Sequence, residues 1–478
     1  MADRFARVTG NWADTSTWSA TAGGSVGASV PGSGDSAIIN VANKDGGAGA
    51  LTITLTGDVE VDGLELYGTS GNDATLATAS EHTVTINGYG IGGYSAKIHG
   101  YTEVTGNVNL TFTRAGAHTI IIDPTHQTNK INDITINHAS NVLLSGSNVD
   151  IKGNLIVTAG TYNTNTAADG TGTSYHLTVA GHTHVGDGSA AADTSTLSCN
   201  TSTCSFGTTK TDEEALWIKR GGTLVGGSGN WTAGSVVADN HANCKFTLTS
   251  GTITVNGHSA DSTRPLILGG TSTGLASSGG GTIDITYASA YNLHNDSLTS
   301  LNNLVLTGNT TATMNTAITM LGNLTVTSGT TLDTKSGSNY ALTVQGIITN
   351  EGTLTARSAA LSVGGIRTQS TGYTGTGTLT VAGTGGILEG NLDDAVVDVN
   401  LDPVMELSGG TDHISGAFYE TPFTGSFTMS CWIKPDDGNP ATEERFLSAL
   451  GDTWPQNTAT ISLLSNGKIT FNYKANNN

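Results

Sequence analysis

Charge is scarce in this chain, and positive charge is scarcer. Only 12% of its 478 residues are charged, with 19 Lys and Arg against 39 acids. The cations nowhere form a run. Polynucleotides are held by clustered cations that release phosphate counterions, so nucleic acid is excluded as the expected partner. The net charge of −20 is expected to serve solubility. Cysteine is equally sparse. Cys199, Cys204, Cys244 and Cys431 are too few and too irregularly spaced for a disulfide scaffold. Cys199, Cys204 and Cys244 could meet around zinc, but their spacing is no zinc pattern, and buried free thiols are expected. No apolar run reaches the about 18 residues of a membrane-spanning helix, so no membrane insertion is expected. The first ten residues, Met1 to Gly10, contain no apolar stretch of the export-signal kind, so none is expected.

What fills the chain instead is Gly (65 residues), with Thr, Ser and Asn. Apolar residues make up 36%, below the roughly 45–50% of ordinary globular chains. Several thick cores are therefore excluded. A thin, repetitive β-architecture, in which each layer buries a narrow stripe against the next, fits.

The apolar residues are placed accordingly. Leu51, Ile53 and Leu55 alternate with Thr52, Thr54 and Thr56. The same alternation recurs at Val84 and Ile86, Val108 to Phe112, Ile134 and Ile136, Leu155 and Val157, Leu177 and Val179, and Ile253 and Val255. It returns at Ile283 and Ile285, Leu324 and Val326, Leu342 and Val344, and Leu379 and Val381. A period of two reads as strands with one buried face. Gly, Asn and Asp between them supply turns. No helical period is visible.

The stretch INDITINHASNVLLSGSNVDIKGNLIVTAGTYNTN from Ile131 aligns with LNNLVLTGNTTATMNTAITMLGNLTVTSGTTLDT from Leu301. Such self-similarity predicts stacked β-coils, a β-solenoid or β-helix-like repeat region, with a multi-sheet sandwich array as the alternative. Thr and Asn on the outer face can hydrogen-bond from one layer to the next. The ends of such a stack need covers, because open strand edges pair promiscuously.

Candidate chemistry is thin. Glycan cleavage needs two carboxylates across a bond. Asp393-Asp394, Asp436-Asp437 and Glu213-Glu214 are adjacent pairs, and adjacent strand residues point to opposite faces. No catalytic residue is therefore assigned, and the chain is expected not to be an enzyme. His182 and His184 share a face if their segment is a strand, with His176 nearby, but no further ligand can be named, so no metal site is assigned. No cofactor is expected. The acidic turn from Asp58 to Asp62 could hold Ca2+. Trp432 lies in an apolar strand and reads as core, whereas Trp454, Tyr419 and Tyr473 are the candidate sugar platforms.

Both ends carry resemblances. From Gly10 the sequence reads GNWADTSTWSATAGGSVGASVPGSGDSAIIN. Trp12 and Trp18 ahead of a Pro-Gly-x-x-Asp turn and an apolar strand resemble the start of many phage tail-fibre and virion proteins. The likeness implies a capping or docking module over residues 1–45. The repeats over 46–402 resemble the β-helical stretches of phage fibres and bacterial adhesins. From residue 403 onward, aromatic and charged residues return. The segments Phe427 to Pro435 and Ile461 to Ile469, with Asn466-Gly467 as a hairpin turn, resemble the start of a concanavalin A-like (laminin G-like) jelly roll. The resemblance covers about half of such a sandwich.

The resemblances together imply an all-β structural protein of a bacteriophage particle. It would be a fibre- or spike-type adhesin at the virion surface, docked on other virion proteins, homotrimeric or otherwise homo-oligomeric, with a host-glycan-binding end. A glycan-degrading tailspike, a capsid decoration fibre and a bacterial cell-surface adhesin are the alternatives.

Overall fold

The computed structural model describes residues 2–47, 49–124, 130–189, 195–241, 243–247, 249–260, 263–268, 281–294, 302–368, 372–382, 388–389 and 396–400. It also describes strands Glu444–Ala449, Thr458–Leu463 and Ile469–Lys474. The chain forms two compact units, Met1–Ile414 and Ser415–Asn478. The first is all-β among its described residues, and its helical turns are short 3-10 segments at Thr15–Thr17, Val41–Asn43 and Ile91–Gly93. No helix among the described residues is long and apolar enough to cross a membrane.

Its sheets are long and parallel. One ladder begins at Ala2–Ala6 and passes through Asp35–Asn40, Gly63–Gly68, Tyr94–Gly100 and Gly116–Pro124. A second takes Val59–Val61, His82–Ile86, Val108–Phe112 and onward to Thr183–Val185, Leu216–Ile218, Val236–Ala238 and Leu266–Leu268. A third holds Leu51–Leu55, Ala74–Thr78 and Thr102–Thr105. Another runs from Val149–Ile151 to Val396–Asn400. Each strand thus pairs with its counterpart in the next repeat rather than with its chain neighbour. This arrangement is compatible with β-helix-like folds and differs from hairpin-built sandwiches, whose pairs are antiparallel.

Register follows the alternation read from the sequence. Leu51, Ile53 and Leu55 are buried, and they pair with Ala74, Leu76 and Thr78 of the next strand. Val84 and Ile86 stack on Leu110 and Phe112, which stack on Ile134 and Ile136. A one-residue slip would turn this whole set toward water, so the buried face fixes the pairing. The internal duplication has a structural meaning: within each copy the first strand pairs not with its chain neighbour but with a later strand, Leu155–Asn163 in one copy and Leu324–Val326 in the other. Ile134 lies beside Leu155, and Leu304 beside Leu324.

The shared Gly-Asn-Leu of the two copies explains how layers are spaced. Leu155 and Leu324 are buried. Asn154 Oδ1 accepts the backbone N–H of His182 at 2.8 Å, and Asn323 Oδ1 accepts that of Ile347 at 2.8 Å. Gly153 and Gly322 press on the preceding layer. A Cβ on Gly322 would lie 1.2 Å from Asn302 O, and one on Gly153 would lie 2.6 Å from Asn132 O. Equivalent carboxamide and carboxylate bonds join Asn303 to Asn323 N and Asp133 to Asn154 N, across 20 and 21 residues. The expected hydrogen bonding between layers is present.

The N-terminal edge is covered. Strand Ala2–Ala6 pairs in parallel with Asp35–Asn40 and antiparallel with Trp18–Ser19, so both of its edges are engaged. In the second unit Thr458–Leu463 pairs antiparallel with both Glu444–Ala449 and Ile469–Lys474, and the expected Asn466-Gly467 turn lies outside the described residues. Residues 427–435 lie outside the described residues.

Two substitutions test the spacing device. Asn323→Ala should cost about 0.5–1.5 kcal/mol because the Ile347 N–H, at a partly exposed position, exchanges its acceptor for water, whereas Asn323→Asp should retain most of it. Gly322→Ala should be worse, because the new methyl meets a backbone carbonyl, whereas Gly34→Ala meets nothing within 4 Å. Chemical denaturation, with hydrogen exchange at Ile347, reads both.

Candidate functional site

Outward positions of the second ladder carry a mixed aromatic and charged group. The strand Thr183–Val185 directs Thr183 and Val185 inward, and Leu216–Ile218 directs Leu216 and Ile218 inward. Alternation then places His184 and Trp217 outward, and they are register partners on adjacent strands. Their rings meet edge to face with centroids 5.4 Å apart. His182 joins them, its ring 5.7 Å from that of His184. The expected common face of His182 and His184 is therefore present.

Charged groups frame this row. At one end His182 Nε2 lies 2.8 Å from Glu213 Oε2, which also takes Lys210 Nζ at 3.3 Å. His182 Nδ1 lies 3.0 Å from Glu214 O. At the other end Lys219 Nζ sits 4.4 Å from the centre of the Trp217 ring. Trp217 Nε1 donates to Asp239 Oδ1 at 2.7 Å, and the backbone N–H of Arg220 donates to Asp239 Oδ2 at 2.9 Å. Both oxygens of Asp239 are thus occupied by neutral donors. Arg220 Nε is shielded from solvent and has no hydrogen-bond partner among the described residues. Burial, then the positive charge of Lys219 and His182, depresses the His184 pKa to about 4, so its ring is neutral at pH 7.

A second polar group is enclosed. Ser95, His118 and Asn141 are all buried, one per layer and 23 residues apart. Burial pushes the His118 pKa down. In the neutral ring Nε2–H donates to Asn141 Oδ1 at 2.7 Å, and Nδ1 faces Ser95 Oγ, whose hydroxyl donates to Gly88 O at 2.9 Å. Asn141 Nδ2 donates to Phe112 O at 3.2 Å. The order hydroxyl, imidazole, carboxamide is that of a nucleophile, its base and an orienting group. Ser95, however, is 0% exposed, so its hydroxyl meets no substrate; the row satisfies polar atoms between layers.

Other sequence candidates fall as follows. Trp12 and Trp18 are buried and pack edge to face at 5.1 Å, with Trp18 Nε1 donating to Trp12 O at 2.8 Å. Their rings close the first layers, so any docking by this segment belongs to the residues around them. Trp454 and Tyr419 lie outside the described residues, as do Cys431, Trp432, Asp393-Asp394 and Asp436-Asp437. Tyr473 lies on strand Ile469–Lys474, paired with Ala459. Glu213 and Glu214 diverge: Glu213 meets His182 and Lys210, whereas Glu214 Oε1 accepts the backbone N–H of Ala260. Asp58 Oδ1 accepts Thr83 N at 2.9 Å, a bond between layers.

Cys199, Cys204 and Cys244 are free and buried. Burial raises the Cys199 thiol, and raises Cys244 to about 12 with help from Asp239. His176 is exposed, and its backbone N–H reaches Asn148 Oδ1. Among the described residues no three His, Cys, Asp or Glu side chains gather as a metal site.

Trp217 was the residue missed from sequence. The signal was available: in Leu216-Trp217-Ile218 an aromatic occupies the outward parity between two inward aliphatics.

The pKa of His184 sets a pH test. The unfolded chain takes up a proton at the ordinary 6.5, the folded chain only near 4. Stability present above 6.5 is therefore lost as pH falls toward 4. His184→Gln should flatten that part of the stability curve relative to the wild type, measured by urea denaturation at stepped pH. No protein-family model, curated protein or solved structure matches the chain, so its function is argued from this geometry and the sequence.

Proposed function

We propose that this chain is a fibre- or spike-type structural protein of a bacteriophage particle, with its first unit a β-solenoid spacer and its second the start of a laminin G-like domain. The observation that carries the reading is the persistence of one pairing rule. Parallel, in-register strands repeat from Ala2–Ala6 to Val396–Asn400, with apolar residues inward and polar bonds between layers. A stack of this kind resists bending because every layer is hydrogen-bonded to the next, which suits a spacer. The N-terminal likeness to virion proteins supports docking on the particle. The antiparallel meander of the second unit is consistent with part of a sandwich. On this reading the protein assembles with other virion proteins as a homotrimer or other homo-oligomer, and presents a host-glycan-binding surface.

Roughly 17 layers at about 4.8 Å give a spacer of about 80 Å. Negative-stain images of the purified protein should show a rod of at least that length, and mass spectrometry of purified particles of the source virus should detect the chain. A compact particle would remove the spacer, and absence from virions would remove the assignment.

A further inference from the structure

We propose that the outer face built by His184, Trp217, Lys219 and Arg220 binds a carboxylated glycan. The choice of a glycan rests on the adhesin reading above; the choice of an acidic one rests on this face alone. Trp217 is half-buried and turned outward on a flat parallel ladder, and an indole in that position offers the C–H face of a sugar ring an apolar partner. Its N–H is already committed to Asp239, which fixes the ring.

The cations decide the charge of the ligand. Of only 19 in the chain, Lys219 lies over this ring and Arg220 follows it, its backbone N–H on the same Asp239 carboxylate that holds the indole. Neither side chain forms an ion pair among the described residues, and Arg220 Nε is buried without a partner. Arg220 as a whole is only partly buried, and a guanidinium without an ion-pair partner favours an incoming carboxylate. The ammonium of Lys219 now rests over the indole. Its cation–π attraction is weak where water reaches the ammonium. Swinging off the ring therefore costs little. That movement frees the ring for a pyranose and leaves the ammonium at its rim, where a uronic or sialic carboxylate would lie. Neutral His184 beside them can donate or accept a hydroxyl hydrogen bond. A polynucleotide is disfavoured, because two cations cannot offset its repulsion by a chain of net charge −20.

The full chain is titrated calorimetrically at low salt with oligogalacturonate and with oligosialic acid, using malto-oligosaccharide and oligothymidylate as comparisons. At least one acidic glycan should bind, more weakly as salt rises. Lys219→Ser and Arg220→Ser should each weaken it about tenfold, the loss of one charge-assisted bond. Trp217→Ala should abolish it, with circular dichroism reporting that each variant is folded. A bound carboxylate should also raise the His184 pKa, followed by NMR of the imidazole; a neutral sugar would not. The proposal is overturned if neither acidic glycan binds, if malto-oligosaccharide or oligothymidylate binds as well, or if the Lys219 and Arg220 variants bind like wild type. Failure here leaves particle composition and rod length untouched, so the two readings fall separately.

Discussion

The structure depends on hydrogen bonding between equivalent residues of successive repeats. Parallel strands form only when the chain returns to the same place after a long excursion, so each pairing closes a loop and costs entropy. In this chain the cost recurs with every repeat, and no single layer buries enough to offset it. The compensation comes from stacking. Each new strand gains a full ladder partner, an apolar neighbour above and below, and at the Gly-Asn-Leu corners a side-chain acceptor for a backbone N–H that would otherwise face the gap between layers. The glycines at these corners are required because the carbonyls of the preceding layer occupy the space of a side chain.

The same constraint sorts chemistry by parity. Inward positions are taken by aliphatics and by aromatics such as Phe112, Phe206 and Trp231, and where a polar residue takes one it must be satisfied by the layers on either side. Ser95, His118 and Asn141 show how completely this can be done: what looks in outline like a catalytic relay is an internal seam. Outward positions tolerate almost anything, and function belongs there. On this ladder the exposed stripe gathers two imidazoles, an indole and neighbouring cations into one row, in a protein that otherwise spreads its few positive charges thinly.

Much of the fold was legible in the residues. Leu51, Ile53 and Leu55 announced a one-sided strand, and the likeness between the stretches at Ile131 and Leu301 announced repetition. The partner of each strand was less so. Alternation reports which face is buried but not which strand lies beside it, and that Ile134 pairs with Leu155 rather than with a neighbour across a hairpin emerges only from the closed repeat. The site was read less well. The aromatics near the C-terminus read as sugar platforms, whereas the outward place of Trp217 is carried by its parity alone. The enclosure of His118 was equally readable, since it shares its parity with Ile120 and Ile122. Trp12 and Trp18 illustrate the converse: a pair of large rings near a terminus suggests a contact surface, yet a stack must first close its own end, and these rings do so.

The covered edge of Ala2–Ala6 has a consequence for assembly. A parallel stack is polar, and each uncapped terminus is a template on which a foreign chain can extend the lattice. Trp18–Ser19, folded back in the opposite direction, occupies the outer edge of the first strand at Phe5 and Ala6. A foreign strand is thereby denied that stretch of edge by the chain's own geometry.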